Sequence, residues 1–537
     1  MRRSGWTGLG LAGLAIVVTC LTAGSAAASM LGVRSRPASA GRAVASVAPA
    51  PTFMALLTLQ QAELTAGDAA ANDDLGASVA ISGDTALVGA PGKTVGAVQG
   101  AGAAYVFVRT GTTWSQEAEL TSPDPLPTAN FGVCVALAGD TAIVGAPCSW
   151  GTGAAYVFTG SGAGWSQQAA LAATGGASGD VFGSSVALSS DGTTVLVGAP
   201  LEPGNGLTGA NAPGAVYVFS DSGASWTQAE LTASTPVANG AFGQAVAIDG
   251  TTALIGAPSE NFSTGAAYVF TESGSAWAQA AKLTASDAAQ QDSFGSAVAL
   301  QGTTALIGAP LETVNGKTHA GAAYVFTSAG ANWTQRADLR ATIPAVDDDF
   351  GMSTVLSGST ALIAAPYRAV GGQSSAGAVD VFSGSGATWS RKSELTAAHP
   401  SSYAVFGVCA ALSGSTALIG ASDLAINGQQ MAGAAFVDSI TTAPTVGLKA
   451  SIRTAKVGRA VVLTGVVSHA SSAARSVVIE RRVGSKLVRL KTAGCSASGA
   501  FKWRWKPSRV GKWALVAVYR VAGHSFTSKA ITVTVLR

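Results

Sequence analysis

The side chains that most often catalyse reactions or bind metals are few and scattered in this sequence. Its four histidines, His319, His399, His469 and His524, do not stand at metal-ligand spacing, and none shares a short motif with Ser or Cys. The sequence contains no G-x-S-x-G elbow, no H-E-x-x-H motif and no C-x-x-C pair. We therefore expect no catalytic residue, no cofactor and no metal centre, while a site assembled from distant loops stays open.

Aspartates supply the first candidate binding surface, because eight of them fall in connections between repeated segments of the chain. One interpretation is an acidic face for cations or basic partners. The other is that these carboxylates solvate loops and form Asx-turns. The residues are Asp73, Asp74, Asp180, Asp287, Asp292, Asp347, Asp348 and Asp349.

The second candidate is the segment Lys502-Trp503-Arg504-Trp505-Lys506. In a β-strand, alternation sends both Trp to one face and Lys502, Arg504 and Lys506 to the other. The Trp pair then belongs to a core beneath a solvated basic face, or it joins the cations in a surface for an anionic polymer. We take the three cations as candidate contacts to anionic material.

Four cysteines remain after the N-terminal segment, and we expect them to be buried free thiols. In strand pairing, Cys148 stands about 10 Å beyond the position opposite Cys134, which exceeds the roughly 7 Å Cα limit for a disulfide. Cys134 and Cys409 occupy equivalent places in distant repeats, and the fourth is Cys495.

The chain that must position these groups has 537 residues, of which 48% are hydrophobic and 11% charged. Val-rich alternating segments argue against disorder, and the absence of a G-X-Y period excludes collagen. The longest apolar run, Leu9–Leu21, is shorter than the about 20 residues that span a bilayer. We therefore expect no transmembrane segment in the mature chain.

The N-terminus predicts export. Arg2 and Arg3 precede the apolar run, and the small residues Ala26-Ala27-Ala28 follow it, which is typical of a signal peptide. We assign residues 1–28 to that signal. Residues 29–52, rich in Ala, Ser, Pro and Arg, predict a flexible linker.

A repeat fills most of the remaining chain. Seven Phe-Gly-like pairs recur at a mean step of about 55 residues, which is near the period of propeller blades. Each pair is followed in the same order by a Gly-Ala-Pro-like triplet and a Tyr-Val-Phe-like segment, and six copies end in a Trp-led segment. The pairs are Leu75-Gly76, Phe131-Gly132, Phe182-Gly183, Phe242-Gly243, Phe294-Gly295, Phe350-Gly351 and Phe406-Gly407.

Each repeat predicts four short antiparallel strands, which we name a to d. In the fourth copy, strand a starts at Phe242, and the Asp249-Gly250 turn leads into strand b. Strand b is Thr252–Gly256, strand c is Ala267–Phe270, and strand d is Trp277–Leu283. Because no segment keeps a 3.6-residue period, we predict an all-β array.

The sequence also predicts how the first and last sheets of the array are joined. Gln61–Ala66 repeats the strand-d text of Gln228–Ala233, yet it stands before the first strand a, and the seventh repeat lacks a strand d. We expect the N-terminal strand to complete the last sheet and close a ring, which would protect the edges of the end sheets.

The recurring Phe-Gly and Gly-Ala-Pro words resemble the FG-GAP repeats of the integrin α-subunit β-propeller. The resemblance implies a seven-bladed propeller over residues 53–440 with extracellular adhesion or ligand binding as its theme. Many members of that family carry a D-x-D/N-x-D-G calcium loop between the two words. Here the interval is a bare turn, such as Ser82-Gly83-Asp84-Thr85, which cannot supply the about six oxygen ligands that Ca²⁺ needs.

Loop lengths indicate where a ligand would bind. The b–c connection holds eight residues between Pro147 and Tyr156 but sixteen between Pro200 and Tyr217, whereas the d–a connection always holds ten. In an antiparallel four-stranded sheet both connections emerge at the same end. Binding residues usually lie on variable loops held by a rigid scaffold, so the b–c face is the candidate site.

Residues 441–537 form a separate segment. They contain eighteen Lys and Arg but one acid, Glu480, a net charge of +17, while the rest of the chain has fourteen basic and twenty-eight acidic residues. About seven alternating segments are typical of an immunoglobulin-like or fibronectin-type sandwich, and the segment looks like a bacterial Ig-like domain.

These patterns together predict a secreted or cell-envelope protein that acts as a non-catalytic binding or adhesion scaffold. Its ligand would be an extracellular protein or glycan on the b–c face, and its basic tail would contact anionic envelope polymer. Export argues against a nucleic-acid partner. A glycan-active enzyme on the same face and a purely structural envelope protein are the alternatives.

Overall fold

The computed structural model describes residues 56–537, apart from short gaps at 203–211, 224, 331, 443–444, 447, 469–475, 484, 497 and 522–523. The predicted signal peptide and linker, residues 1–52, therefore lie outside the described residues. The described chain divides into an N-terminal unit, Gln60–Ser439, and a C-terminal unit, Ile440–Arg537, to which the start of the first strand is also assigned.

The N-terminal unit consists of seven four-stranded antiparallel sheets, which confirms the predicted all-β class. We number the sheets 1 to 7 by repeat. Sheets 1 to 3 are β2 (Ser78–Ser82), β3 (Thr85–Ala90), β4 (Ala103–Thr110) and β5 (Thr113–Leu120); β6 (Val135–Ala138), β7 (Thr141–Ala146), β8 (Ala154–Ser161) and β9 (Gly164–Leu171); and β10 (Ser185–Leu188), β11 (Thr194–Ala199), β12 (Ala215–Asp221) and β13 (Trp226–Leu231).

Sheets 4 to 6 repeat this order. They are β14 (Ala245–Asp249), β15 (Thr252–Ala257), β16 (Ala266–Ser273) and β17 (Ala276–Leu283); β18 (Ala297–Gln301), β19 (Thr304–Ala309), β20 (Ala322–Ala329) and β21 (Asn332–Leu339); and β22 (Thr354–Ser357), β23 (Thr360–Ala365), β24 (Ala378–Ser385) and β25 (Thr388–Leu395). Short helical turns interrupt two b–c connections, at Ser149–Gly151 and Glu260–Ser263. No helix in the described chain has the length and apolar character needed to cross a membrane.

Sheet 7 combines the two ends of the array. Its order is β1-β28-β27-β26, in which β1 (Leu56–Leu64) is the N-terminal strand and β26 (Ala410–Ser413), β27 (Thr416–Ala421) and β28 (Ala434–Thr442) come from the seventh repeat. The N-terminal strand therefore occupies the strand-d place that the seventh repeat leaves vacant, as its sequence predicts.

The two glycine words hold neighbouring sheets together. A Cβ on Gly89, in the Gly-Ala-Pro triplet of sheet 1, would meet the carbonyl oxygen of Gly132, in the Phe-Gly pair of sheet 2, at 1.9 Å. Gly132 itself has a φ of +93°, in the left-handed region that side chains disfavour. The same approach joins sheet 7 to sheet 1, where a Cβ on Gly420 would meet the Gly76 carbonyl at 1.9 Å.

The Phe-Gly pair is not the start of strand a, contrary to the prediction for the fourth repeat. Strand β14 begins at Ala245, because the positive φ of Gly243 keeps the pair in a turn. The aromatic ring of that turn is buried in the interface between sheets, and Phe242 packs on Tyr268 at a centroid distance of 5.4 Å. The strand-d Trp residues are half-buried against the same clusters, as the packing interpretation predicts.

The C-terminal unit contains two sheets around one core. One holds β29 (Thr445–Val446), β30 (Lys449–Ala450), β32 (Val461–Ser468) and β35 (Ala500–Trp505). The other holds β31 (Thr454–Lys456), β33 (Ser476–Val483), β34 (Lys486–Gly494), β36 (Gly511–Val521), β37 (His524–Thr527) and β38 (Ile531–Leu536). Their shared core includes Leu463, Phe501, Trp505, Trp513 and Val533.

Candidate functional site

The b–c and d–a connections lie at the same end of the N-terminal unit, because they hydrogen-bond to each other. The N–H of Asn130, before strand a of sheet 2, donates to the Gly100 carbonyl in the b–c connection of sheet 1 at 3.1 Å. Asp349 and His319 form the equivalent bond at 2.9 Å between sheets 6 and 5. The N–H of Asp74 donates to the Met431 carbonyl at 3.0 Å between sheets 1 and 7, so these bonds also join the first sheet to the last. We call this end the loop face.

Four of the eight candidate aspartates brace loops on that face. Each is buried and accepts the backbone N–H of the residue three places earlier, which is the turn role that the sequence left open. The pairs are Ala70 and Asp73, Ala177 and Asp180, Ala289 and Asp292, and Ala345 and Asp348. Burial raises the pKa of Asp180 and Asp292 above the ordinary range. All four therefore brace the scaffold, and Asp348 also pairs with Arg368.

The remaining four divide by location. Asp287 accepts the Tyr324 hydroxyl and pairs with Arg340 at 2.9 Å, and Asp347 is exposed and lies 3.0 Å from His319 Nδ1. Asp74 and Asp349 stand directly before the Phe-Gly pair in sheets 1 and 6. Burial, followed by neighbouring carboxylates, raises the pKa of each to about 7. Asp347, Asp348 and Asp349 thus share one junction, Asp73 and Asp74 a second and Asp287 and Asp292 a third, while Asp180 lies at a fourth.

A glutamine on strand d joins most neighbouring sheets on this face. Its Oε1 accepts the N–H of the residue that follows strand d of the preceding sheet. The pairs are Gln116 and Gly67, Gln228 and Thr174, Gln279 and Ser234, Gln335 and Ser286, and Gln60 and Ala398, at 2.8–2.9 Å. Between sheets 1 and 2 the donor place is Pro123, which has no N–H. Between sheets 5 and 6, Arg391 occupies the strand-d position that holds glutamine in most other sheets. The N–H of Thr342 therefore has no glutamine Oε1 to which it can donate.

Sheet 6 carries a second departure beside the first. Asp380 replaces the tyrosine of strand c, and its side chain is fully buried. Arg391 Nη2 lies 2.7 Å and Arg368 Nη1 3.3 Å from Asp380 Oδ1, and both guanidinium groups also pair with Glu394. Among the described residues, Asp380 Oδ2, Arg368 Nη2 and Arg391 Nε have no hydrogen-bond partner. A charged network thus stands where the other sheets have an aromatic ring.

A cleft of about 800 Å³ opens at this junction. Asp347, Asp348 and Asp349 form one wall, and Arg368, Arg391 and Glu394 form the other. Tyr367 also lines the cleft. Burial, and to a smaller extent the neighbouring carboxylates, raises the pKa of its phenol. Two apolar side chains, Ile343 and Val346, stand at the rim, and Ile343 is 82% exposed.

The cleft can bind by complementary charge and can donate a proton. Asp349 is buried, and with a pKa of about 7 it presents either a carboxyl O–H or a carboxylate near neutral pH. Asp348 is held by Arg368 at 3.4 Å. In the described chain, no group of three or more His, Cys, Asp and Glu residues is arranged to hold a metal ion.

The basic segment of the tail alternates as predicted. Lys502 and Arg504 on β35 and Lys506 directly after it are exposed, whereas Trp505 is buried and packs on Trp513 at a centroid distance of 5.1 Å. Trp503 is partly buried against the same core. Both Trp side chains therefore belong to the core, and the three cations are exposed to solvent.

Sequence reasoning missed Arg368, Arg391 and Glu394. The signal was present, because the drifted strand c, Asp380-Val381-Phe382, and the arginine in the strand-d glutamine place both mark the sixth repeat. None of the four described cysteines takes part in a disulfide. His469 and the side chain of His524 lie outside the described residues.

The solved structures that resemble this chain do so with low TM-scores and low sequence identity. A candidate 6-phosphogluconolactonase from Bacteroides fragilis is 12% identical, with 67% of this chain and 98% of that chain covered and a TM-score of 0.43. A puromycin-hydrolysing peptidase from Mycobacterium tuberculosis is 9% identical, with coverages of 74% and 64% and a TM-score of 0.31. An engineered protein is 15% identical over 18% of this chain and 21% of its own, with a TM-score of 0.15. These scores are too low to carry an argument about function.

The sequence family is clearer. No curated protein matches this sequence. The profile of the FG-GAP repeat matches residues 58–107, 114–158, 165–219, 226–270, 277–326 and 389–437, which together make up more than half of the chain. The interval between 326 and 389 has no match, and it contains the cleft residues Asp347–Asp349 and Arg368. With its Phe-Gly and Gly-Ala-Pro words packed as sheet-to-sheet contacts, this chain belongs to the FG-GAP repeat family.

Proposed function

We propose that this protein is an exported, non-catalytic binding or adhesion scaffold, built as a seven-bladed propeller with an Ig-like tail. Its ligand, an extracellular protein or glycan, binds in the cleft between sheets 5 and 6. The observation that carries this proposal is the coincidence of the cleft with the two departures from the repeat, Asp380 and Arg391. Other sheets also hold ion pairs with buried carboxylates, such as Lys93–Asp73 and Lys282–Glu260, but in sheet 6 a buried carboxylate takes the strand-c tyrosine place, which packing of the repeat does not require.

The distribution of apolar side chains supports the same face. Among the described residues of the N-terminal unit, every large apolar side chain that is more than about a third exposed lies in a b–c or d–a connection; these are Phe262, Ile343, Val346, Tyr403 and Met431. Exposed apolar groups gathered on one face are typical of an interaction surface. Cell-surface adhesion and an extracellular location follow the theme of the family, and remain part of this proposal.

The test is a comparison of the full chain with Asp380→Tyr/Arg391→Gln on arrays of immobilised glycans and extracellular proteins. The double substitution restores residues that most other sheets carry, so the fold should persist while the cleft loses the Arg391 cation. We expect the double variant to bind the ligands of the parent protein with an apparent affinity at least tenfold lower. Gln279→Arg, the opposite exchange at the junction of sheets 3 and 4, is the matched control and should bind normally. If the double variant binds as well as the parent, the ligand does not bind in this cleft.

The tail supplies the second part of the proposal, contact with anionic envelope polymer. Residues 441–537 carry a net charge of +17, and such attraction weakens as the screening length falls from about 10 Å at 0.1 M salt to about 3 Å at 1 M. The full chain should adhere to an immobilised polyanion at low salt and be released near molar salt. Lys502→Glu/Arg504→Glu/Lys506→Glu should weaken adhesion because these side chains point away from the core. Adhesion that resists both changes would refute the electrostatic role.

One observation favours a second candidate function, glycan hydrolysis. Asp349, with a pKa near 7, lies with other carboxylates in one cleft, which is the arrangement that general acid catalysis needs. Release of reducing ends from a glycan panel, abolished by Asp349→Asn, would establish this activity. Binding without turnover that survives Asp349→Asn would exclude Asp349 as its acid.

A further inference from the structure

A groove of about 1,150 Å³ in the C-terminal unit stands apart from the cleft described above. Its floor contains Leu448, Phe501 and Ile531, which are buried members of the core cluster. Val446 and Val466 also line it, and Val466 is 52% exposed. The groove therefore opens the edge of a hydrophobic core to solvent, at or above the upper end of the size range of small-molecule sites, about 300–1,000 Å³.

Three lysines, Lys449, Lys502 and Lys529, line the groove, and all three are exposed. Lys449 and Lys502 face Thr464 from its two neighbouring strands, so that they form one cross-strand row. The groove lining includes no acid, since the one acid in residues 441–537 is Glu480, which is buried and pairs with Arg520 at 3.3 Å. The cations at the groove thus remain uncompensated.

The groove is kept open by a missing side chain. Gly494 ends β34 and lines the groove, and a Cβ placed on it would meet no heavy atom within 4 Å. A second glycine, Gly465, lies on β32 opposite Phe501 and contributes backbone alone. An apolar chain could lie over Phe501 and Ile531 without displacing any of these residues.

We propose that this groove binds the alkyl chain of a phosphate-headed amphiphile of the cell envelope, with the head group among Lys449, Lys502 and Lys529. The apolar floor and the uncompensated lysines select a ligand that has both parts. Lysine ammonium groups bind phosphate as point charges, and the chain removes core-edge surface from water. The inference rests on the proposed affinity of the tail for anionic envelope material and adds a defined site and ligand to it.

The experiment is calorimetric titration of the full chain with octyl, decyl and dodecyl phosphate as monomers, with glycerol phosphate as the head-group control. Affinity should rise about fourfold for each buried methylene, and glycerol phosphate should bind far more weakly. Gly494→Trp fills the groove and should reduce dodecyl phosphate affinity at least tenfold, whereas Val488→Trp, on the same strand but outside the groove, should have no effect. If Gly494→Trp fails to fold, Val466→Asp at a half-exposed position serves the same purpose.

The lysines give a second measurement. Lys449→Gln, Lys502→Gln and Lys529→Gln should each weaken binding by about threefold, the scale of an exposed charge pair, and Lys512→Gln, exposed but outside the groove, should not. Affinity independent of chain length, or unaffected by Gly494→Trp and Val466→Asp, would overturn the proposal. A dimer of the chain that Gly494→Trp dissociates would overturn it in favour of a second copy as the occupant.

The two proposals for the tail fail separately. Polyanion adhesion that persists in Gly494→Trp, together with loss of chain-dependent amphiphile binding in that variant, supports the groove and leaves the proposed function standing. Chain-dependent amphiphile binding without any polyanion adhesion supports the groove and refutes the polymer contact.

Discussion

Glycine at position 89 sets the distance between sheets 1 and 2. The Gly132 carbonyl would stand 1.9 Å from a Cβ at this place, and both groups are backbone, so neither can rotate away. The Gly-Ala-Pro triplet is therefore a packing requirement between sheets. Ala364 occupies this place in the sixth repeat, which is again the repeat that departs from the others.

Gly89→Ala should lower the free energy of unfolding by roughly 3 kcal/mol, the upper range for overpacking in a close-packed interface. Gly67→Ala is the control in the same unit, because its nearest neighbour is Gln116 Oε1 at 3.7 Å. Urea denaturation should separate the two variants. Equal stability of Gly89→Ala and the parent would show that the sheets can move apart at no cost.

Asp438 is a second residue that breaks the repeat, since it takes the strand-c phenylalanine place in sheet 7. It is buried, its Oδ2 has no hydrogen-bond partner in the described chain, and burial raises its pKa to about 7. The folded protein therefore holds a proton that the unfolded chain loses near pH 4. Stability contributed by this proton is present below pH 4 and is lost as the pH rises towards 7.

Asp438→Asn should be more stable than the parent at pH 8, by up to about 4 kcal/mol at about 1.4 kcal/mol per unit of pKa, and the gain should shrink to nothing near pH 4. The difference between the two proteins isolates this carboxyl from Asp74 and Asp349, whose raised pKa values act in the same direction. Melting temperatures measured from pH 4 to pH 8 decide the matter. A difference that does not change with pH would contradict a buried protonated Asp438.

At the scale of elements, strand d of sheet 6 exchanges one kind of junction for another. At five junctions a glutamine ties strand d to the loop of the sheet before it, and here Arg391 pairs with the buried Asp380 of its own sheet. The junction loses a cross-sheet bond and gains an intrasheet ion pair. The cleft lies at this junction.

Arg391→Gln alone should destabilise the protein by about 3 kcal/mol, because it removes a partner of a buried carboxylate. Asp380→Tyr/Arg391→Gln should be as stable as the parent or more so, since both charges are gone and the tyrosine of the other sheets returns. The coupling between the two sites should therefore exceed about 2 kcal/mol in a double-mutant cycle. Additive effects would mean that Arg391 and Asp380 do not act as a pair.

The strands were largely predictable, and the cleft was not. Alternation, turn glycines and the recurrence of the repeat placed strands b to d of the fourth repeat, with b and d nearly complete and c predicted at half of its observed length, because each depends on local sequence. The start of strand a was misjudged, since the left-handed Gly243 becomes necessary only when a neighbouring sheet packs against it. Asp380 and Arg391 come from two strands of sheet 6 and Arg368 from its b–c connection, and the sequence alone does not state the register that brings them together.

For the whole molecule, β1 decides whether the array is complete. Without it, β28 would become an exposed edge in sheet 7 and the apolar residues Leu64 and Ala66 would leave a buried cluster. Exposed edges invite pairing with other chains. The integrity of seven sheets thus depends on one segment that precedes them all.

Deletion of residues 56–66 should abolish a single cooperative melting transition or lower its midpoint by well over 10 °C. A synthetic peptide with that sequence, added in excess, should restore the transition, since it binds only the folded array. A scrambled peptide of equal composition is the control. A deletion variant that melts like the parent would exclude β1 as the closing strand.

Placing β1 beside β28 also determines how the protein responds to tension. A pull applied between its N-terminal side and its tail passes from β1 directly into β28 through their hydrogen bonds, so that the other six sheets lie outside the path of the force. Those six sheets then experience no load until that one ladder ruptures. In single-molecule stretching, a first rupture at β1 that releases the repeats afterwards would show this order, and early loss of any other sheet would contradict it.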